Sequence, residues 1–184
     1  MKPRIILDSK KFALTIERLC HQLIENHKDF SKTAIIGIQP RGIHLSKRIR
    51  QRLLAINPKL KFDSGVMDIT FYRDDFRRRE SPLTPSSTQL DFSVEGKKVV
   101  LIDDVLFTGR TIRAAMDALL DFGRPEQVEL LVLIDRRFTR DLPIQGDYIG
   151  KTIDSIDSEH VKVEWAEIDK ADAVWILTTN EKEK

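Results

Sequence analysis

The sequence predicts an α/β fold built on a mostly parallel central sheet, and three stretches carry that expectation. Residues 33–38, 99–102 and 128–134 are short, largely apolar runs, the composition of strands buried on both faces. The first two each lead through a tight loop into a helical pattern, over 43–56 and 110–122. Strands alternating with helices are the sequence form of a parallel sheet flanked by helices.

In chain order, Ile5, Ile6 and Leu7 form a short apolar piece. Asp8 or Ser9 is placed to cap a helix whose apolar positions, Phe12, Ile16, Leu19, Leu23 and Ile24, recur at helical spacing to about His27. Glu17, Arg18, His21 and Glu25 fall on its other face, where solvent is the default. The strand over 33–38 ends in Gln39-Pro40-Arg41-Gly42, and the next helix turns Leu45, Ile49, Leu53 and Leu54 inward. Gly37 and Gly42 have P-loop spacing, but Ile43-His44 stands where Lys-Ser/Thr is required, which excludes a nucleoside triphosphate P-loop. Asn57-Pro58 breaks this helix, and 61–72 reads as a further strand or pair of strands. A long polar segment follows over 73–96, with Asp74-Asp75, Arg77-Arg78-Arg79, Pro82 and Pro85. Irregular segments of that length in compact domains tend to be lids or disordered loops. The helix from 110 stops at Gly123, with Pro125 beyond it. The strand over 128–134 ends in Asp135-Arg136-Arg137-Phe138. Residues 161–165 and 173–178 read as two last strands, Trp165 and Trp175 as core residues, and 180–184 as a disordered tail.

Composition narrows the function classes. At 184 residues, with 41% hydrophobic and 33% charged residues, the chain is expected to be one globular domain, 1–184, with a sizeable core. A formal net charge of +2 gives no broad electrostatic surface for nucleic acid, although local basic clusters stay open. The single cysteine, Cys20, excludes an internal disulfide and fits a reducing compartment. No stretch approaches a membrane span, and the apolar piece at 5–7 is too short for a signal-peptide core, so a cytoplasmic protein is expected. The histidines lack metal spacing, and neither a nucleophile elbow nor a dinucleotide fingerprint is present.

The chemistry concentrates where the run over 99–102 meets Asp103 and Asp104, at the expected end of a strand. Ligands of open α/β sheets bind beyond the carboxyl ends of strands. The loop that follows feeds a helix N-terminus, whose free N–H groups and positive dipole suit a phosphate. Thr108 and Thr111 add hydroxyl donors, and Gly109 lets the backbone approach closely. An anion would repel the two acids, which fit sugar hydroxyls or a hydrated Mg²⁺ better.

The run from Val99 to Thr111 resembles the phosphoribosyl-pyrophosphate (PRPP) motif of type I phosphoribosyltransferases: apolar strand, two acids, short loop, Thr-Gly, helix. The continuation Ile112-Arg113-Ala114-Ala115-Met116-Asp117-Ala118-Leu119, then Gly123-Arg124-Pro125, is similar to the pyrimidine operon regulator / uracil phosphoribosyltransferase (PyrR-like) family. The likeness runs from about Ile6 to Ile176. It implies a type I phosphoribosyltransferase core with a small hood and a flexible lid at about 73–96, and a lid would keep water from an activated ribosyl centre. It also implies transfer of 5-phosphoribose from PRPP to uracil, giving UMP and pyrophosphate, with Mg²⁺. A phosphoribosyltransferase for another base, or a mainly regulatory protein with weak catalysis, are the alternatives.

Carried onto this chain, the resemblance assigns PRPP to Asp103, Asp104, Val105, Leu106, Phe107, Thr108, Gly109, Arg110 and Thr111. It assigns pyrophosphate to Arg41 and Gly42, in a loop that in relatives commonly holds a strained non-trans peptide. Pro40 stands where relatives often have Thr, and a cis preference belongs to the bond before proline. Asp103, Asp104, Arg41 and Arg73 form the catalytic set, with the two acids reaching the metal through PRPP and water. The base side of the pocket falls near Arg136 or Arg137, with the segment to Ile156 closing over it. Relatives of this type bind an mRNA leader as dimers in response to UMP or UTP, so a homodimer or higher homo-oligomer is expected. Arg18, His21, Arg140 and Lys151 match that RNA surface. Glu17 stands where such relatives tend to have Thr and Gln145 where they tend to have Arg, both changes against phosphate binding.

Overall fold

A computed structural model describes residues 3–74, 87–156 and 158–178. The chain begins with β1 (Arg4–Leu7) and α1 (Ser9–His27). Asp8 caps α1 by accepting from the Lys11 N–H at 2.8 Å. Then come β2 (Thr33–Ile38), α2 (Gly42–Ile56), β3 (Asp63–Met67), β4 (Lys98–Leu106) and α3 (Arg110–Leu119). The described chain closes with β5 (Gln127–Arg137), β6 (Tyr148–Asp154), β7 (Glu159–Glu164), the short α4 (Ala166–Asp169) and β8 (Ala173–Thr178). Five strands form the central sheet in the order β3-β2-β4-β5-β6, every neighbouring pair parallel. A separate antiparallel sheet, β1-β8-β7, joins the beginning of the chain to its last strands.

Strand alternation divides the core. Ile35, Val100, Ile102, Leu131 and Leu133 pack with α1 and α2, while Ala34, Ile36, Val99, Leu101 and Val132 pack with α3. Both faces of the sheet are therefore covered, which is why its inner strands β2, β4 and β5 read as largely apolar runs.

Three expectations are corrected. The strand expected over 61–72 is limited to β3. Asp68 ends it by accepting from the Thr70 N–H at 2.9 Å and hydroxyl at 2.5 Å, and a 3-10 turn, Thr70–Tyr72, follows. Both acid-bearing strands run past their expected ends: β4 includes Asp103 and Asp104, and β5 includes Asp135, Arg136 and Arg137. They stay in strand form because they pair with each other as far as Leu106↔Asp135. Of the expected lid, 75–86, with its arginine run, lies outside the described residues, as does the tail beyond 178. The described part over 87–96 is packed on the body: Gln89 bridges Val66, and Val94 is fully buried.

Beside the apolar contacts of Val161, Val163, Val174 and Ile176, Arg48 anchors the small sheet to the core. The Arg48 guanidinium of α2 lies over the rings of Phe12 (5.5 Å) and Trp165 (5.1 Å). It donates to Glu167 at 2.6 and 3.1 Å and to Asp172 at 2.7 Å. Trp165 is fully buried, edge-on to Phe12 at 5.2 Å, and half-buried Trp175 donates to Glu164 at 2.9 Å. Arg48→Ala removes stacking and hydrogen bonds together, and we expect it to cost roughly 2 kcal/mol. Arg48→Lys recovers little of this, because an ammonium cannot reproduce the planar fork. Urea unfolding midpoints measure both, and an unchanged midpoint for the alanine variant contradicts the anchor.

Candidate functional site

The site arises where β4 outruns one neighbour but not the other. Its last pair with β2 is Gly37↔Ile102, while pairing with β5 continues to Leu106. Asp103 and Asp104 therefore leave the body of the sheet beside the loop that follows β2. Gly42, the first residue of α2, presses on this edge. A Cβ there would collide with the Ile102 carbonyl and stand 3.0 Å from Asp103 Cα. Only glycine permits so close a backbone approach. The cis peptide of the loop is Gln39–Pro40, one bond earlier than Pro40–Arg41.

Both acids are buried, with exposures of 8% for Asp103 and 7% for Asp104. Burial pushes the Asp103 carboxyl well above the usual range, and the charge of Asp104 adds to this. The Arg73 charge works the other way on Asp103. Burial also raises Asp104, against the pull of Arg41, whose Nε donates to Asp104 Oδ2 at 3.1 Å. Arg41 also donates to the Val163 carbonyl of β7, so in this state it ties the acid pair to the small sheet.

Beyond the acids lies a cavity of about 600 Å³ walled by Arg73, Asp74 and the continuous run from Val105 to Ile112. Gly109 caps α3 with φ at +91°, a left-handed value that favours glycine. It brings no side chain to cap the helix, and the Arg110 N–H has only a long contact, 3.4 Å, to the Thr108 hydroxyl, so the first turn of α3 offers backbone N–H groups to whatever fills the cavity. The Thr108 carbonyl accepts from the Asp141 and Leu142 N–H groups at 3.0 and 3.2 Å, which fixes the loop from below. Arg110 of the loop bonds Asp141 at 3.0 Å and Asp74 at 2.7 Å, and Arg113 joins Asp74 at 3.2 Å.

Arg136 and Arg137 are separated by strand alternation. Arg136 is 4% exposed, and its guanidinium lies 4.0 Å from the Phe107 ring centroid. It is held by the Ser155 hydroxyl and the Glu159 carbonyl, both at 2.8 Å, and reaches the Ile156 carbonyl at 3.5 Å. Arg137 is exposed and pairs with Asp154, its register partner on β6. Only Arg136 thus reaches the loop of the cavity. The Ile156 side chain is 64% exposed.

The residues matched to an RNA surface are divided too. Arg18 donates to the Ile149 and Gly150 carbonyls at 3.1 and 2.5 Å and lines a groove with Lys11 and Lys151. His21 sits one turn on, 3.3 Å from Glu17. Arg140 is folded into the cavity loop instead, donating to the Phe107 carbonyl and the Asp135 carboxylate. Its contact with the Phe107 carbonyl, like those of Asp74 and Asp141 with Arg110, joins residues distant in sequence and had no local signal, whereas Asp135 is five residues away. Glu17 is paired with Arg52, which holds its carboxyl below the usual range.

Among the described residues no three His, Cys, Asp or Glu side chains gather as a metal cage. The acid pair beside an anion cavity instead fits an Mg²⁺ held largely by substrate oxygens and water. Among the same residues, no helix is long and apolar enough to cross a membrane.

Comparison with known proteins gives one family. The phosphoribosyl transferase domain matches residues 4–168. A bifunctional protein PyrR of Halalkalibacterium halodurans is 44% identical over 175 residues, covering 94% of this chain and 96% of the relative. One from Listeria monocytogenes is 41% identical over 183 residues, covering 98% and 99%. Among solved structures, a hypoxanthine phosphoribosyltransferase of Staphylococcus aureus superposes with a TM-score of 0.69 at 20% identity, over 98% of this chain and 93% of that one. The Trypanosoma cruzi hypoxanthine phosphoribosyltransferase in complex with the product IMP gives 0.73 at 14% identity, over 98% and 95%. At those identities the structural likeness speaks for the fold.

Proposed function

Since this chain belongs to the type I phosphoribosyltransferase family, in its PyrR-like branch, we propose that it transfers 5-phosphoribose from PRPP to uracil, yielding UMP and pyrophosphate. One observation carries this reading: the buried acid pair leads directly into a cavity walled by the uncapped start of α3.

In this reading the 5′-phosphate takes the N–H groups at the start of α3 and the hydroxyls of Thr108 and Thr111. Asp103 and Asp104 accept from the ribose hydroxyls and steady the positive charge that builds on the ring as the bond to pyrophosphate breaks. Arg41 and Arg73 offset the leaving pyrophosphate, with Gly42 close by. To do so Arg41 exchanges Asp104 for pyrophosphate, which frees that carboxylate for the sugar. An Mg²⁺ on the pyrophosphate oxygens would draw on Asp103 and Asp104 through water and shield the leaving charge. Arg136, braced beneath Phe107, lies on the base side, and Arg137 has no part. The mechanism needs placement and charge complementarity, with no covalent nucleophile. Formation of nucleotide from PRPP across a panel of uracil, cytosine, hypoxanthine and guanine tests it. UMP is the expected product, and preference for a purine would overturn the choice of base.

A second activity, binding of a pyrimidine operon leader RNA, is favoured by the groove that joins Lys11, Arg18 and Lys151. The Glu17 charge is met by Arg52, so it opposes RNA less than its position in the sequence suggests. We expect Arg18→Ala with Lys151→Ala to weaken leader binding and to reduce the slope of log affinity against log salt by about 2. Gel shifts over a salt series measure this, and absence of binding by the parent chain at low salt would end the RNA reading.

A further inference from the structure

We infer that Arg140 is a positioning residue for phosphoribosyl transfer: with the strap 140–144 it turns loop carbonyls away from the cavity, so that loop N–H groups face the phosphate. This rests on the reading of that cavity as a PRPP site and adds to it a residue that touches no substrate. The loop over 107–110 is held from behind at every position by the strap. The Phe107 carbonyl accepts from the Arg140 guanidinium. The Thr108 carbonyl accepts from the Asp141 and Leu142 N–H groups at 3.0 and 3.2 Å. A Cβ on Gly109 would stand 3.3 Å from Ile144 Cδ1 and 3.5 Å from Leu142 Cβ, so both side chains lie directly behind it. Arg110 Nε donates to the Asp141 carboxylate at 3.0 Å. The strap is itself anchored. Ile144 packs against the core beside α3, and Arg140 donates to the buried Asp135 carboxylate near the end of β5.

Peptide geometry turns these contacts into a direction. In a planar trans peptide the N–H points opposite to the C=O. The Phe107 carbonyl is turned to Arg140, so the Thr108 N–H points away from it. The Thr108 carbonyl is turned to the strap, so the Gly109 N–H points away from the strap. Neither N–H donates to a described residue, and Thr108 and Gly109 both line the cavity. Successive backbone N–H groups of this kind, beside the uncapped start of α3, make a concave anion site. Residue 107 is fixed twice: the Arg136 guanidinium, 4.0 Å from its ring centroid, holds the side chain, and Arg140 holds the backbone. Without the Arg140 fork the peptide after Phe107 is free to rotate, and its N–H is no longer aimed. Plain attraction of phosphate by Arg140 is the rival role. Its pairing with Asp135 argues against that, because an adjacent carboxylate cancels most of the charge felt in the cavity.

Ribose 5-phosphate is the probe, titrated into the full chain and followed at the Thr108 and Gly109 amide resonances, beside steady-state turnover of PRPP and uracil. The parent chain should show a saturable shift. Arg140→Met should raise the Kd for the probe and the KM for PRPP together by about tenfold, and leave the KM for uracil within about twofold. That variant strands Asp135 in a buried setting without its partner, so Arg140→Met with Asp135→Leu is the second variant. An apolar pair in place of a buried ion pair should restore the urea midpoint and leave the probe weakly held. Asp135→Leu alone should also weaken the probe, severalfold, although it removes a negative charge beside an anion site. Four outcomes overturn the inference. Arg140→Met binds the probe as the parent does. The double variant regains affinity along with stability, which makes the pair merely structural. Asp135→Leu binds more tightly, which makes Arg140 a source of attraction. Or the parent gives no shift at millimolar probe, which removes the phosphate reading itself and the role of Arg140 with it.

Discussion

Asp103→Asn combined with Asp104→Asn abolishes UMP formation from PRPP and uracil, and it raises the thermal midpoint at neutral pH. The first half follows from the proposed reaction. Each carboxylate removed leaves ribose hydroxyls and a developing positive charge without their acceptor, a loss of about 100-fold or more. The second half follows from burial. Burial pushes Asp103 well above the usual carboxyl range, with the charge of Asp104 adding to it, and burial raises Asp104 despite Arg41. An acid whose folded pKa exceeds its unfolded pKa stabilises the fold fully below the unfolded value. That contribution is lost as pH rises through the folded value. At neutral pH, well above the unfolded value, burying the acid pair is therefore a standing cost to the fold. Asparagine removes the charge but keeps the oxygen that accepts from the residue 104 N–H at 2.9 Å. A rise of about 2–4 °C is expected at pH 7, shrinking toward zero at about pH 2.5, below the unfolded aspartate value, where the wild-type acids protonate in both states. Calorimetry at the two pH values, beside a turnover assay, measures both halves. A variant that still turns over near the wild-type rate sinks the catalytic assignment. A midpoint lowered at pH 7 sinks the account of the electrostatics.

That pairing of gain and loss also explains which parts of the site were legible in the sequence. Asp103 and Asp104 were visible because two acids after an apolar run break the pattern that a fully buried strand obeys. Their exact setting was not visible. Apolar composition predicts where burial ends, but β4 continues through both acids because β5 runs equally far beside it. Partner length decides a strand's end, and a single stretch of sequence does not encode it. Gly109 was legible as a point of close backbone approach, whereas its left-handed place at the cap of α3 comes from the structure. By contrast, Arg140 matched an RNA surface by resemblance, and the structure folds it onto Phe107 and Asp135 instead. The choice between Arg136 and Arg137 stayed open in the sequence. Strand alternation settles their geometry, putting one beneath Phe107 and the other against Asp154.

Gly42→Ala is the single substitution expected to do most damage without touching a charge. The added methyl meets backbone rather than flexible side chains: the Ile102 carbonyl oxygen, Asp103 Cα at 3.0 Å and Ile102 C at 3.2 Å. Neither side gives easily. Ile102 is fully buried in the central strand of the sheet, and Gly42 begins a helix whose Leu45 and Ile49 are locked in the core. Relief must come from moving the start of α2 away from β4. That carries Arg41 off Asp104 and separates the pyrophosphate loop from the ribose-binding acids. A displacement approaching an ångström between such groups costs about 100-fold in turnover. Overpacking adds a loss of about 1–3 kcal/mol in stability. Gly96→Ala is the control. Its φ of +64° makes alanine somewhat strained, but no atom lies within 4 Å of the added methyl, so the site keeps its geometry. Turnover at saturating PRPP and uracil, with urea midpoints for both variants, decides the matter. Full activity in Gly42→Ala would show that the contact between α2 and β4 does not position the reacting groups. Equal losses in both variants would mean that backbone strain, rather than this contact, is what turnover feels.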